Sequence, residues 1–213
     1  MSRYETEEEQ IEAFKSWWNK NGTKLLSAVL VVVLAFSGWR YWTNTQYVEA
    51  ANSSSVYEML QASMQQGSFG EVSREALKLI QEQPKSPYAS GAALLYASYS
   101  LEKGDSEDAI EHLTWVVNNS KDVALKITAH SRLARVYLDK KNFTAVEEQL
   151  SLLNTLDIKG AAKGNADYIS GMLALQQDEL EKAYSAFSAV VGNPETEKNL
   201  LGLAQIQLND LAK

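Results

Sequence analysis

Residues 125–153 read LKITAHSRLARVYLDKKNFTAVEEQLSLL, a stretch that spells two helices joined by a polar turn. Apolar or small residues at Leu125, Ala129, Leu133, Val136 and Tyr137 recur at the spacing that gathers them on one helical face. Lys140-Lys141-Asn142 interrupts the pattern, which resumes at Phe143, Val146, Leu150 and Leu153. Thr144 with Glu147 has the form of a capping box opening the second helix, and Asp178 with Glu181 repeats it downstream.

The same pair of helices recurs along the chain. With a shift of 37 residues, Gly104-Asp105, Lys141-Asn142 and Asp178-Glu179 coincide, as do Ala109, Val146 and Ala183. Leu113, Leu150 and Phe187 share a second slot, and the small residues Ala97, Ala134 and Gly171 a third. One step upstream, Leu60, Gly67, Val72 and Ala76 fit more loosely, so about four units are expected. Pro84, Pro87 and Pro194 all fall between units, and no stretch outside residues 25–39 alternates with a β-branched bias. The fold class is therefore all-α.

The pattern resembles the tetratricopeptide consensus: a small residue midway through helix A, a turn, alanine early in helix B and a large apolar residue four later. A small residue at 97, 134 and 171 lets helix B approach helix A closely. A helix pair cannot bury both faces alone, so the units must stack into a solenoid of hairpins. Glu195 to Ala212, with Leu200, Leu203, Ile206, Leu208 and Leu211, reads as a C-terminal capping helix. The 37-residue period exceeds the usual length of about 34, which predicts longer connections at Asn118-Asn119-Ser120 and Asp157 to Lys163. The competing reading is the core of an ordinary helical bundle; three consecutive units in register favour the repeat.

Leu25 to Trp39 (LLSAVLVVVLAFSGW) is the one long uncharged apolar run. With Lys24 and Arg40 snorkelling, Gly22 to Trp42 suffices to cross a ~30 Å hydrocarbon core as a single transmembrane helix. Trp17 and Trp18 before it, and Trp39, Tyr41 and Trp42 at its end, are the amphipathic rings expected at the membrane interface. Lys15, Lys20 and Lys24 precede the run, and after Arg40 the next basic residue is Arg74, so the N-terminus is expected in the cytoplasm. The rival is a cleaved signal peptide ending near Ala35-Phe36-Ser37, against which stand the glutamate-rich head and the aromatic belts. The expected division is a cytoplasmic head at 1–21, a transmembrane helix at 22–42 and an outer, periplasmic domain at 43–213. Within the head, Ile11, Phe14, Trp17 and Trp18 share one helical side, opposite Glu8, Glu12, Lys15 and Asn19. That segment lies in the inner membrane interface, docks on a membrane partner, or simply extends the anchor helix.

After Tyr41 the chain has fifteen basic and twenty-two acidic residues, which disfavours a nucleic-acid partner. Cysteine is absent, which excludes disulfides and thiolate metal sites. His112 and His130 have no second ligand at metal spacing, and no nucleophile elbow, P-loop or dinucleotide fingerprint occurs. Enzymatic activity and cofactors are not expected. The concave face of such a solenoid is lined by helix A side chains turned away from their own helix B. By register these are Leu94, Ser98 and Leu101, then Ser131, Arg135 and Leu138, then Tyr168, Met172 and Leu175. A mixed apolar groove with one cation suits an extended peptide or an amphipathic helix; the alternative is that several of these residues pack against neighbouring units.

The head YETEEEQIEA at 4–13, Trp17-Trp18, Asn21-Gly22 and the run's ending Gly38-Trp39-Arg40-Tyr41-Trp42 together resemble the N-terminal signature of the YfgM family, ancillary subunits of the bacterial Sec translocon. The resemblance extends through Ser131-Arg132-Leu133-Ala134-Arg135-Val136 and into the third full repeat. It implies a bacterial inner-membrane protein with a periplasmic domain. Its implied partners are the SecYEG translocon, a membrane-anchored parvulin-like periplasmic chaperone, nascent exported polypeptides and membrane lipid. The implied role is to help pass exported chains to periplasmic chaperones. The alternative of another class is an envelope regulatory or assembly adaptor working through the cytoplasmic head and the outer domain.

Overall fold

The computed structural model of the chain describes residues 7–212; head residues 1–6, Tyr4 and Glu5 among them, lie outside the described residues. Among the described residues there are nine helices and no strand. They are α1 (Glu7–Gln65), α2 (Phe69–Glu82), α3 (Pro87–Glu102), α4 (Ser106–Asn119), α5 (Val123–Asp139), α6 (Phe143–Thr155), α7 (Gly160–Gln176), α8 (Leu180–Gly192) and α9 (Lys198–Leu211). The chain divides into two compact units, Met1–Asn52 and Ser53–Lys213, and α1 contributes to both.

The first unit is helical from Glu7 onward, so residues 7–21 continue the helix that carries the apolar run. Its apolar stretch reaches a mean hydropathy of 1.7, and only 6% of that stretch is buried. Apolar surface of this extent and length fits a membrane anchor. Phe14 lies 6.3 Å from Trp17 and 6.2 Å from Trp18 between ring centroids, while Trp39 and Trp42 pair at 5.7 Å at the other end of the run.

In the second unit Val56, Leu60 and Met64 at the end of α1 join the core cluster of Phe69, Ala76 and Leu79 from α2, and three hairpins follow: α3 with α4, α5 with α6, and α7 with α8. The second helices begin at Phe69, Ser106, Phe143 and Leu180, a constant interval of 37 residues. Each hairpin turn holds one residue in the left-handed region at the same interval: Gly67 (φ 72°), Gly104 (φ 80°), Lys141 (φ 56°) and Asp178 (φ 62°). The hydrogen bonding is that of a Schellman cap. The Asp105 amide donates to the Ser100 carbonyl at 2.8 Å and Gly104 to Leu101 at 3.0 Å, and Asn142 and Lys141 repeat this with Tyr137 and Leu138, both at 2.9 Å. A side chain with a Cβ is strained in this conformation. Lys141→Gly and Asp178→Gly are each expected to stabilise the domain by about 1 kcal/mol, and Gly104→Ala to destabilise it comparably. Urea unfolding of the full-length chain in detergent, followed by circular dichroism, measures all three.

The caps differ from the sequence expectation. Asn142, not Thr144, caps α6, its Oδ1 accepting from the Ala145 amide at 3.3 Å. Asp178 is the left-handed turn residue, and Glu179 precedes α8 without a side-chain cap. The connections differ too. Asn118 and Asn119 complete α4 and residues 160–163 open α7, leaving links of only 120–122 and 156–159. The extra length is carried by the first helices of the hairpins, α3 with 16 residues and α5 and α7 with 17 each.

The repeat slots pack as their sizes dictate. Ala97, Ala134 and Gly171 are buried, as are Leu113 and Phe187, while Leu150 is half-buried. A Cβ on Gly171 would stand 2.7 Å from Phe187 Cε1, so glycine is required for the helices to meet there. The terminal helix α9 buries Ala204 and rests Leu200, Leu208 and Leu211 on the α7–α8 core. Leu203 and Ile206, assigned to that covered face by the sequence pattern, are instead 48% and 56% exposed.

Candidate functional site

Curvature follows from which helices touch. The first helices of successive hairpins meet one another, α3 with α5, α5 with α7 and α7 with α9, whereas among the described residues α4 and α6, or α6 and α8, do not. The layer of α3, α5 and α7 is therefore the inner one, and its outward surface is the candidate site.

The nine groove positions divide by exposure. Leu101 and Arg135 are exposed, and Ser98, Tyr168, Met172 and Leu175 are half-buried. Leu94, Ser131 and Leu138 are buried and present no open surface. Tyr168 leans its ring edge-on to Phe187 at 5.6 Å, so its body belongs to the core. Arg135 donates from Nη2 to Asn165 Oδ1 across to α7.

Arg132 was missed by sequence register, which directs its Cβ toward the interior. The long stem carries its guanidinium back to α3, where Nη1 donates to the Leu94 carbonyl at 2.9 Å and to Ser98 Oγ at 2.8 Å. The Ser98 hydroxyl itself donates to the Leu94 carbonyl at 3.0 Å. Burial, and secondly the neighbouring charge of Arg135, push the Arg132 guanidinium below the ordinary arginine range. The only signal in the sequence was the comparison across units, where Arg132 replaces Leu95 and Ile169.

The histidines are integrated into packing. His130 is buried, with Nδ1 2.8 Å from Gln149 Oε1. His112 Nδ1 lies 2.9 Å from the Asp108 carbonyl oxygen, and its ring lies tilted against Tyr96 with centroids 4.5 Å apart. Burial, then the charge of Asp108, raises the Tyr96 hydroxyl above its usual range. Among the described residues no cluster of three or more metal-binding side chains occurs. The belt residues Trp17, Trp18, Lys24, Trp39, Arg40, Tyr41 and Trp42 are all exposed along α1.

A family profile described as a tetratricopeptide repeat-like domain matches residues 15–213. The chain is 30% identical over 212 residues to the ancillary SecYEG translocon subunit of Escherichia coli, a match covering 100% of both chains. It is 28% identical over 207 residues to the subunit of that name from Haemophilus influenzae, covering 96% of this chain and 97% of the relative. With the Neisseria gonorrhoeae subunit the identity is 25% over 146 residues, covering 68% and 70%. No solved structure matches the chain.

Proposed function

The chain belongs to the family of ancillary SecYEG translocon subunits, and from that premise we propose that it is a membrane-anchored, non-enzymatic accessory of the Sec translocon. In this reading residues 1–21 face the cytoplasm, 22–42 span the inner membrane, and 43–213 form a periplasmic domain. The protein associates with SecYEG and helps pass exported polypeptides to periplasmic chaperones, including a membrane-anchored parvulin-like one, through protein–protein contacts. The observation that carries the reading is full-length similarity to a named translocon subunit in a chain whose apolar helix precedes stacked hairpins. Lys15, Lys20 and Lys24 on one side of the apolar run support the orientation. The strip of Leu101, Arg135, Tyr168 and Met172 supplies apolar surface beside a cation, the chemistry of peptide recognition.

Photoreactive residues placed in cells at Leu101, Arg135 and Met172, with exposed Glu148 on α6 as control, test this directly. Translocon subunits, chaperones or exported chains are expected on the three strip positions and not on Glu148. Silence at all three, with crosslinks confined to probes near Trp17 or Val32, would move the association into the membrane and favour the adaptor reading.

A further inference from the structure

The inner face of the domain holds two arginines that its own packing does not require. At the position of Arg132 the neighbouring units carry Leu95 and Ile169, and at that of Arg135 they carry Ser98 and Met172. The repeat is satisfied by apolar or small residues there, and only the α5 unit departs from it, twice and with cations. Both guanidiniums lean on neutral oxygens: Arg132 on the Leu94 carbonyl and Ser98 Oγ, Arg135 on Asn165 Oδ1. Among the described residues neither enters an ion pair, although five lysine or histidine pairs with carboxylates form elsewhere.

That choice is unusual in a chain with 27 acidic residues against 20 basic ones. A half-buried cation given only neutral acceptors is poorly compensated, so a carboxylate arriving from outside gains more here than at a solvated lysine. Donors remain for it. A guanidinium carries five N–H donors in a planar fork, and the contacts of Arg132 use only Nη1. Arg135 stands one turn further along α5, exposed. Leu101, Tyr168 and Met172 offer partly open apolar surface on the flanking helices α3 and α7.

We propose that Arg132 and Arg135 together take a carboxylate of a bound polypeptide segment whose neighbouring apolar side chains lie along α3 and α7. This rests on the reading of the inner face as a polypeptide-binding surface and names what that surface selects. An Asp or Glu side chain and a chain-terminal carboxylate share the chemistry.

The test uses the full-length protein in detergent and fluorescent short peptides with varied apolar flanks. Each flank is made in three forms: central Glu with an amidated end, central Gln with an amidated end, and central Gln with a free end. Anisotropy is expected to show the Glu form binding about tenfold or more tightly than amidated Gln. A matching gain for the free-ended form would assign the terminal carboxylate instead. The paired substitutions Arg132→Met and Arg135→Gln are expected to abolish the difference, and Arg132→Met retains the apolar packing that Leu95 and Ile169 provide elsewhere. Should that pair unfold, Arg135→Gln alone must still reduce the preference. Equal binding of all forms, unchanged by the substitutions, overturns the carboxylate proposal while leaving polypeptide binding intact. Failure of every peptide overturns both. Arginine-dependent binding to phosphatidylglycerol vesicles without peptide binding overturns the proposal in favour of a lipid contact.

Discussion

Phe187→Ala is expected to remove about 3–5 kcal/mol from the stability of the last hairpin. The ring is fully buried, packed edge-on against Tyr168 and pressed onto the bare backbone of Gly171, and it anchors the cluster of Ala174, Ala183, Val190 and Ala204. In a stacked-hairpin domain each unit touches only its neighbours, so the damage is local before it is global. Hydrogen exchange on the full-length chain in detergent should show α7, α8 and α9 losing protection while α3 and α4 keep theirs. A uniform loss across the domain, or a loss below about 1 kcal/mol, would show that Phe187 is not the keystone of that hairpin.

The same contact makes a sharper test. Where the first helix has alanine at 97 and 134 the second has leucine at 113 and 150, and where it has Gly171 the second has Phe187. Volume removed on one helix is returned on the other, the exchange that cores tolerate best. Gly171→Ala alone drives a methyl into the Phe187 ring and is expected to destabilise by about 1–3 kcal/mol. Adding Phe187→Leu should recover most of that, because the pair then matches the other two units. Additive effects in the double variant would mean that the two residues do not pack as a unit.

The repeat was legible because its physics is local. A left-handed turn residue, a small residue and a large apolar residue recur at one interval, and the hairpins at Phe69, Ser106, Phe143 and Leu180 follow it without a slip. The placement of the three additional residues per unit was not legible. Asn118, Asn119 and Lys163 look like connection residues by composition, yet they continue helices because tertiary packing outweighs their modest propensities. The same limit applies to the caps. Thr144 and Asn142 both suit a helix start, and the Schellman geometry at Lys141 decides for Asn142. At the candidate site, spacing gives the direction of a Cβ but not the reach of a long side chain. Leu94, Ser131 and Leu138 point along the inner layer and are covered by its close packing, while Arg132 starts toward the interior and ends on the neighbouring helix. Spacing thus places Leu101 and Arg135 on the open side of that layer and omits Arg132.

Deleting residues 198–213 is expected to be the most disruptive change to the domain short of unfolding it. Helix α9 takes the place of a first helix on the last hairpin, against α7 and α8, and it covers the apolar side that every inner hairpin shows to its neighbour. Ala204 is fully buried, and Leu200, Leu208 and Leu211 pack against the cluster that holds Ala183, Phe187 and Val190. Partial burial of three leucines corresponds to roughly 3–5 kcal/mol. The truncated chain should therefore associate in detergent, seen as a shift to higher mass on sizing columns, and lose exchange protection in α7 and α8 first. Leu203→Lys with Ile206→Lys is the control, since these residues face outward and their replacement should change stability by less than about 0.5 kcal/mol. If the truncated chain stays monodisperse with α7 and α8 protected, α9 is an appendage and not a cap. If it behaves as expected, crosslinking at Met172 on α7 should fall before crosslinking at Leu101 on α3, because the inner face exists only as far along the stack as its hairpins remain folded.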